Sequence, residues 1–99
     1  MFPEPRFPMG RLYCTPGVLQ RVSHIELDSK LSQHRRCDWG DLCEEDKKRN
    51  DLALKHGGRL FSAYTCAPNT RIWIITEADR SATTILLPEE YGGAPWILI

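Results

Sequence analysis

The run from Arg71 to Leu87 constrains the fold more than any other part of the chain. Arg71-Ile72-Trp73-Ile74-Ile75-Thr76-Glu77 and Ala82 to Leu87 are rich in β-branched and apolar residues, and they flank a polar reversal at Ala78 to Ser81. That pattern specifies two antiparallel strands. In the first, Ile72, Ile74 and Thr76 point one way and Trp73 and Ile75 the other. With both faces largely apolar, it reads as an inner strand, and Trp73 reads as core. Upstream, Leu60, Ser62 and Tyr64 alternate with Phe61 and Ala63, and Ala67-Pro68-Asn69-Thr70 supplies turn formers, so the C-terminal half is a meander.

The N-terminal half carries helix signals. Arg11 to Cys14 is a short strand, placed at a sheet edge, and Thr15-Pro16 then opens a helix whose apolar face is Val18, Leu19 and Val22. Ser23 with Glu26, and Asp41 with Glu44, have capping-box spacing. They predict one helix to about Arg36 with Ile25, Leu27 and Leu31 inward, and another over about Leu42 to His56. The latter has an acidic first turn, basic last turn and Gly57-Gly58 as its stop. On its inner side Asn50 stands where an aliphatic group is usual, and a buried amide there needs backbone partners from the meander. The expected fold is α+β, a three- or four-stranded antiparallel sheet covered on one face by two or three N-terminal helices. Residues 1–9, with Pro3, Pro5 and Pro8, read as an extended arm, 10–91 as one domain, and 92–99 as a flexible apolar tail.

A chain of 99 residues supports one core. Lysine plus arginine equals aspartate plus glutamate at 13 each, so there is neither the basic excess of a typical nucleic-acid binder nor the acidic excess of a nucleic-acid mimic. The four cysteines include no C-x-x-C pair, no leader pattern opens the chain, and no apolar run approaches the roughly 20 residues that span a bilayer. A reduced, cytoplasmic protein without a membrane partner is expected, as a monomer or small homo-oligomer.

Three residue groups could carry chemistry or contact. Glu77, Asp79, Arg80 and His56 offer two carboxylates, a guanidinium and an imidazole, the set a small ribonuclease would need for proton transfer and phosphate stabilisation. The competing reading makes Asp79 an Asx turn and pairs Arg80 with Glu77. His34, Cys37 and Cys43 are zinc-type ligands in an unfamiliar spacing, against which two ordinary cysteines are the default, so no metal or other cofactor is assigned. Asp38, Trp39, Asp41, Glu44 and Glu45 form an acidic turn and helix start, and with Asp79 and Arg80 they are the candidate interaction surface. Trp39 could equally fold under the helix. Direct nucleic-acid binding through Arg11, Arg21, Arg35 and Arg36 is a weaker reading, because basic residues are not seen to interleave with aromatics along a strand.

Several runs resemble a family of small plasmid and integrative-element proteins. They are 38–46, Asn50-Asp51 with Ala53-Leu54, 58–64, 73–81 and 86–91, and family members are often labelled type I restriction endonuclease subunit M or plasmid-related protein. The resemblance covers about residues 10–91. Where the family tends to have Gly before Asp-Trp-Gly, this chain has Cys37. A chain this short has no room for a methyltransferase domain with its cofactor-binding sheet, so the label is a misannotation. The resemblance implies residence on mobile DNA. The expected function is a non-enzymatic accessory protein that binds a host or element-encoded protein complex, as a modulator or inhibitor of host defence of the restriction or CRISPR type.

Overall fold

The computed structural model describes residues 6–93 and 97–99. In chain order it contains β1 (Arg11–Cys14), α1 (Pro16–Arg21), α2 (His24–Arg35), α3 (Glu44–His56), β2 (Leu60–Cys66), β3 (Thr70–Thr76), β4 (Ala82–Leu86), a 3-10 turn (Pro88–Glu90) and β5 (Ile97–Leu98). The sheet order is β2-β3-β4-β1-β5. The meander forms as expected, Trp73 facing Ala63 on one side and Leu86 on the other.

The sheet is mixed rather than purely antiparallel. β1 runs parallel to β4, with Tyr13 opposite Thr84, and is flanked by antiparallel β5, so it is not an edge. Three helices and two strands separate β1 from β4 in sequence, enough chain for a crossover, which a parallel pair requires. The tail is correspondingly docked at its end: Ile97 and Leu98 pair with Cys14 and Tyr13, and the Ile99 amide donates to the Leu12 carbonyl at 2.9 Å. Trp96 and its two predecessors lie outside the described residues, as do Met1 to Pro5. The described part of the proline-rich arm is not loose. Phe7 and Met9 are buried, and Phe7 packs against both Trp39 and His34.

α1 and α2 lay Val18, Leu27, Leu31 and His34 on one sheet face, over Leu60, Tyr64, Ile72, Ile74 and Ile85. The Ser23 hydroxyl accepts the Glu26 amide at 3.2 Å, realising half of the predicted capping box. Ile25, expected inward, is 83% exposed. Leu27, Leu31 and His34 define the buried stripe at i, i+4 and i+7, and Ile25 stands two residues, roughly 200°, away from it.

α3 starts later than its capping pattern suggested, with Cys43 at the N-cap. Asp41 is engaged elsewhere: its amide donates to the Ala63 carbonyl at 2.7 Å, and its carboxylate accepts from the Thr65 hydroxyl at 3.0 Å. The extended Trp39 to Asp41 segment thus caps the outer edge of β2. Gly40 is required there, since it takes φ +75 and a Cβ would stand 2.0 Å from the Ala63 carbonyl oxygen. Next to it, Asn50 closes the same edge as expected, its amide group donating to the Phe61 carbonyl at 2.7 Å and accepting the Phe61 amide at 3.0 Å. The backbone of 39–41 and the Asn50 side chain therefore occupy an edge that would otherwise invite strand addition. Cys37, where the resembling family tends to have Gly, takes φ +64, a conformation glycine adopts more easily.

Candidate functional site

The reversal between β3 and β4 holds three of the four candidate nuclease residues, and two of these hold the turn itself. The Asp79 carboxylate accepts the Ser81 amide at 3.0 Å, an Asx turn, and its hydrogen bonds with Ser81 keep it below the usual carboxylate range. Arg80, at φ +62, turns its guanidinium back into the fold. One nitrogen donates to the carbonyls of Gly58 (2.6 Å), Glu77 (3.0 Å) and Ala78 (3.3 Å), and the other to that of Ala53 (3.2 Å). The Ala53 and Gly58 carbonyls flank the end of α3, where a cation is favoured, and the Ala53 carbonyl also accepts the Gly57 amide at 2.9 Å. The expected Arg80–Glu77 side-chain pair does not form. Glu77 instead accepts from Arg59 at 3.3 Å, and Arg59 also donates to the Tyr91 hydroxyl at 3.0 Å. His56 is exposed at the end of α3, and among the described residues no hydrogen bond or ion pair joins it to Glu77, Asp79 or Arg80.

The candidate zinc ligands are likewise dispersed. His34 is completely buried, with Nδ1 2.5 Å from the Ser62 hydroxyl and Nε2 2.9 Å from that of Thr76. Thr76 meets Thr83 at 2.7 Å, and Thr83 donates to the Met9 carbonyl at 2.6 Å. Because that carbonyl can only accept, the protons order back along the chain. Thr76 donates to Thr83, His34 Nε2–H donates to Thr76, and Ser62 donates to Nδ1. Burial lowers the His34 pKa to about 3, so the ring is neutral. This Ser–His contact is sealed under Phe7 and Trp39. Cys37 is half-buried, with its thiol pushed up by burial, and Cys43 is exposed. Among the described residues no group of three or more His, Cys, Asp or Glu could hold a metal ion.

At the proposed contact surface Trp39 belongs to the interior. It is 4% exposed, packs on Phe7 and His34, and donates its indole N–H to Asp51 at 3.3 Å. The carboxylates around it do face outward. Asp38 accepts from Gln33 at 2.9 Å, Glu44 lies 3.7 Å from Lys47, and Asp41 and Glu45 are also exposed.

A further surface lies on the other side of the sheet. Trp73 points away from the helices and is half-buried, its ring 5.1 Å from Phe61 and 5.9 Å from Tyr91. Ala63, Ile75 and Leu86 beneath these rings are buried but stand outside the helix-side core. Arg59, Ile75, Glu77, Thr84, Leu86 and Tyr91 line a cleft of about 190 Å³, and among the described residues the buried Thr84 hydroxyl has no hydrogen-bond partner. The available signal was the two-residue step from Arg11 to Tyr13, Arg59 to Phe61 and Arg71 to Trp73. Glu90 shows a different omission. Burial works to raise its pKa, but hydrogen bonds from the Thr15 hydroxyl and the Gly17 and Leu87 amides hold it below the ordinary range. It thus closes the start of α1, a task the sequence assigned to the Thr15 hydroxyl.

Among the described residues no helix is long and apolar enough to cross a membrane. Comparison with protein-family models, curated proteins and solved structures finds no match to this chain.

Proposed function

We propose that the chain is a non-enzymatic interaction protein of a mobile genetic element that binds and modulates a host defence complex. The mobile-element setting rests on the resemblance of residues 10–91 to small plasmid and integrative-element proteins. The non-enzymatic part rests on one observation: Arg80, the candidate phosphate-stabilising group, is held by four backbone carbonyls. A guanidinium so engaged has little left to offer a phosphate. Its partners Asp79 and Glu77 are bound to Ser81 and Arg59. The exposed carboxylates of Asp38, Asp41, Glu44 and Glu45 make an acidic ledge suited to a basic patch on a partner, where charge complementarity favours fast and selective association.

Affinity capture from host lysate tests this reading, with wild-type protein beside the charge-reversed double variant Glu44→Lys/Glu45→Lys. Recovery of a nuclease or other defence complex by the wild type and its loss with the variant are expected. Cleavage of RNA by the purified protein, abolished by His56→Ala, would overturn it. His56 is exposed and outside the core, so that variant leaves folding intact.

A further inference from the structure

Strand register gathers three arginine-x-aromatic steps on the sheet face opposite the helices. Tyr13 is opposite Thr84, Thr84 opposite Ile75 and Ile75 opposite Phe61, so these four residues form one row on that face. Trp73, two residues from Ile75, shares the face, as do Arg11 and Arg71, each two residues before its ring. Arg59 sits two residues before Phe61 at the far end. Arg11, Arg59 and Arg71 are all exposed, and among the described residues neither Arg11 nor Arg71 pairs with a carboxylate. Arg59 uses only two of its five donors, one on Glu77 and one on Tyr91. Set against Glu77, the three arginines leave the face positive although the whole chain is neutral.

From this we infer that the helix-free sheet face is a platform for single-stranded nucleic acid, with Trp73 and Tyr91 offering rings to the bases and Arg11, Arg59 and Arg71 holding phosphates. Arg59 lies across from Glu77, so it and Arg71 stand about 20 Å apart along the strands, at opposite ends of the aromatic patch. Tyr91 is 55% exposed and forms one wall of the 190 Å³ cleft, whose floor is Ile75 and Leu86. An apolar cavity of about 150 Å³ takes a benzene ring, so this one has room for a single ring. A base lodged there would bring polar edge atoms to the remaining Arg59 donors. Rings on a sheet can stack only on unpaired bases, because a duplex keeps its bases in its own stack. Arg21, Arg35 and Arg36, the other arginines considered from sequence, are not part of this face. Arg21 pairs with Glu89, and Arg35 and Arg36 lie at the end of α2.

The inference is independent of the protein-partner reading and uses a different surface. Fluorescence anisotropy with labelled oligouridylate, oligodeoxythymidylate and a DNA duplex over a salt series tests it. Binding of either single strand is expected, with a logarithmic salt slope of about −2 for three phosphate contacts and weaker binding to the duplex. A preference between the two single strands would report on the 2′-hydroxyl. Arg71→Glu, an exposed change, should weaken binding about tenfold, and Arg36→Glu at the end of α2 should leave it unchanged. No binding at low salt, equal binding of duplex and single strand, or wild-type affinity in Arg71→Glu would each overturn the inference. Cleavage of the RNA probe would count against the non-enzymatic reading and leave this one standing.

Discussion

The two faces of the sheet use polar residues in opposite ways. On the helix side, Ser62, His34, Thr76 and Thr83 are buried and joined end to end, finishing on the Met9 carbonyl. On the other side, among the described residues Thr84 has no partner and Arg11 and Arg71 extend into solvent without a carboxylate, and Trp73 and Tyr91 reach the surface. A buried polar group must be satisfied by the fold, whereas exposed donors beside a cleft are available to something else. Residues that resemble a catalytic pair, Ser62 and His34, therefore lie on the face where bonding is closed, and the face that can accept a ligand has no such pair.

The largest expected effect tests how closed the helix side is. With a folded pKa of about 3 against 6.5 unfolded, His34 binds fewer protons in the folded chain between those values. Stability contributed by the neutral ring is complete above pH 6.5 and is lost as pH falls toward 3, at about 1.4 kcal/mol per pH unit and about 5 kcal/mol in all. Urea denaturation across that range should show this slope in the wild type. In His34→Gln, which has no titrating ring, the slope above pH 4.5 should be missing, the lowered carboxyls of Asp79 and Glu90 acting below that, and a wild-type slope there would mean that the ring is not the titrating group.

Next in size is Arg80→Ala, which removes the guanidinium from four carbonyls around the end of α3 and the turn after β3, of which Ala53 and Glu77 keep a backbone amide donor. A loss of about 2–3 kcal/mol in urea denaturation is expected, since hydrogen bonds to charged groups exceed neutral ones. A loss near zero would mean that those carbonyls are satisfied equally well by water, and Arg80 would return as a candidate for chemistry.

Much of this arrangement is visible in the chain because it depends on neighbours. The meander follows from period-2 alternation between turn formers, the Ser23 cap from a residue three positions away, and the end of α3 from Gly57 at φ +85. What was illegible depends on distant partners. His34 looked like a metal ligand because Ser62 and Thr76 are 28 and 42 residues away, and Asp41 looked like a helix cap because the β2 backbone that claims it is 22 residues on. The parallel placement of β1 was hidden for the same reason, its strand partner being some 70 residues later. The arginine-x-aromatic steps were legible, but with a neutral chain and Trp73 read as core, nothing in the sequence placed all three steps on one face.

Adjacent threonines sharpen the comparison with one substitution. Thr83→Val and Thr84→Val exchange the same hydroxyl for a methyl on neighbouring residues that face opposite sides of β4. Thr83→Val breaks the relay and leaves Thr76 and the Met9 carbonyl each short of a bond, for an expected loss of about 1–2 kcal/mol. Thr84→Val removes a buried hydroxyl that has no partner, so stability should be unchanged or rise by up to about 1 kcal/mol. Thermal unfolding of the pair measures both, and equal losses would erase the distinction between the faces.

The smallest expected change in stability carries the most information about the outer face. Arg71 on β3 is exposed and, among the described residues, holds no carboxylate, while Arg80, only nine residues on, is bound by four carbonyls. Arg71→Ala should leave the unfolding midpoint in place, as surface changes away from bonded groups usually stay within about 0.5 kcal/mol. The same variant should weaken association with oligouridylate. Removing one phosphate contact of three should flatten the salt slope from about −2 to about −1.4. A stable Arg71→Ala that binds as well as the wild type would show that an unpaired arginine beside a ring is merely solvated here, and the two faces would then differ in bonding but not in use.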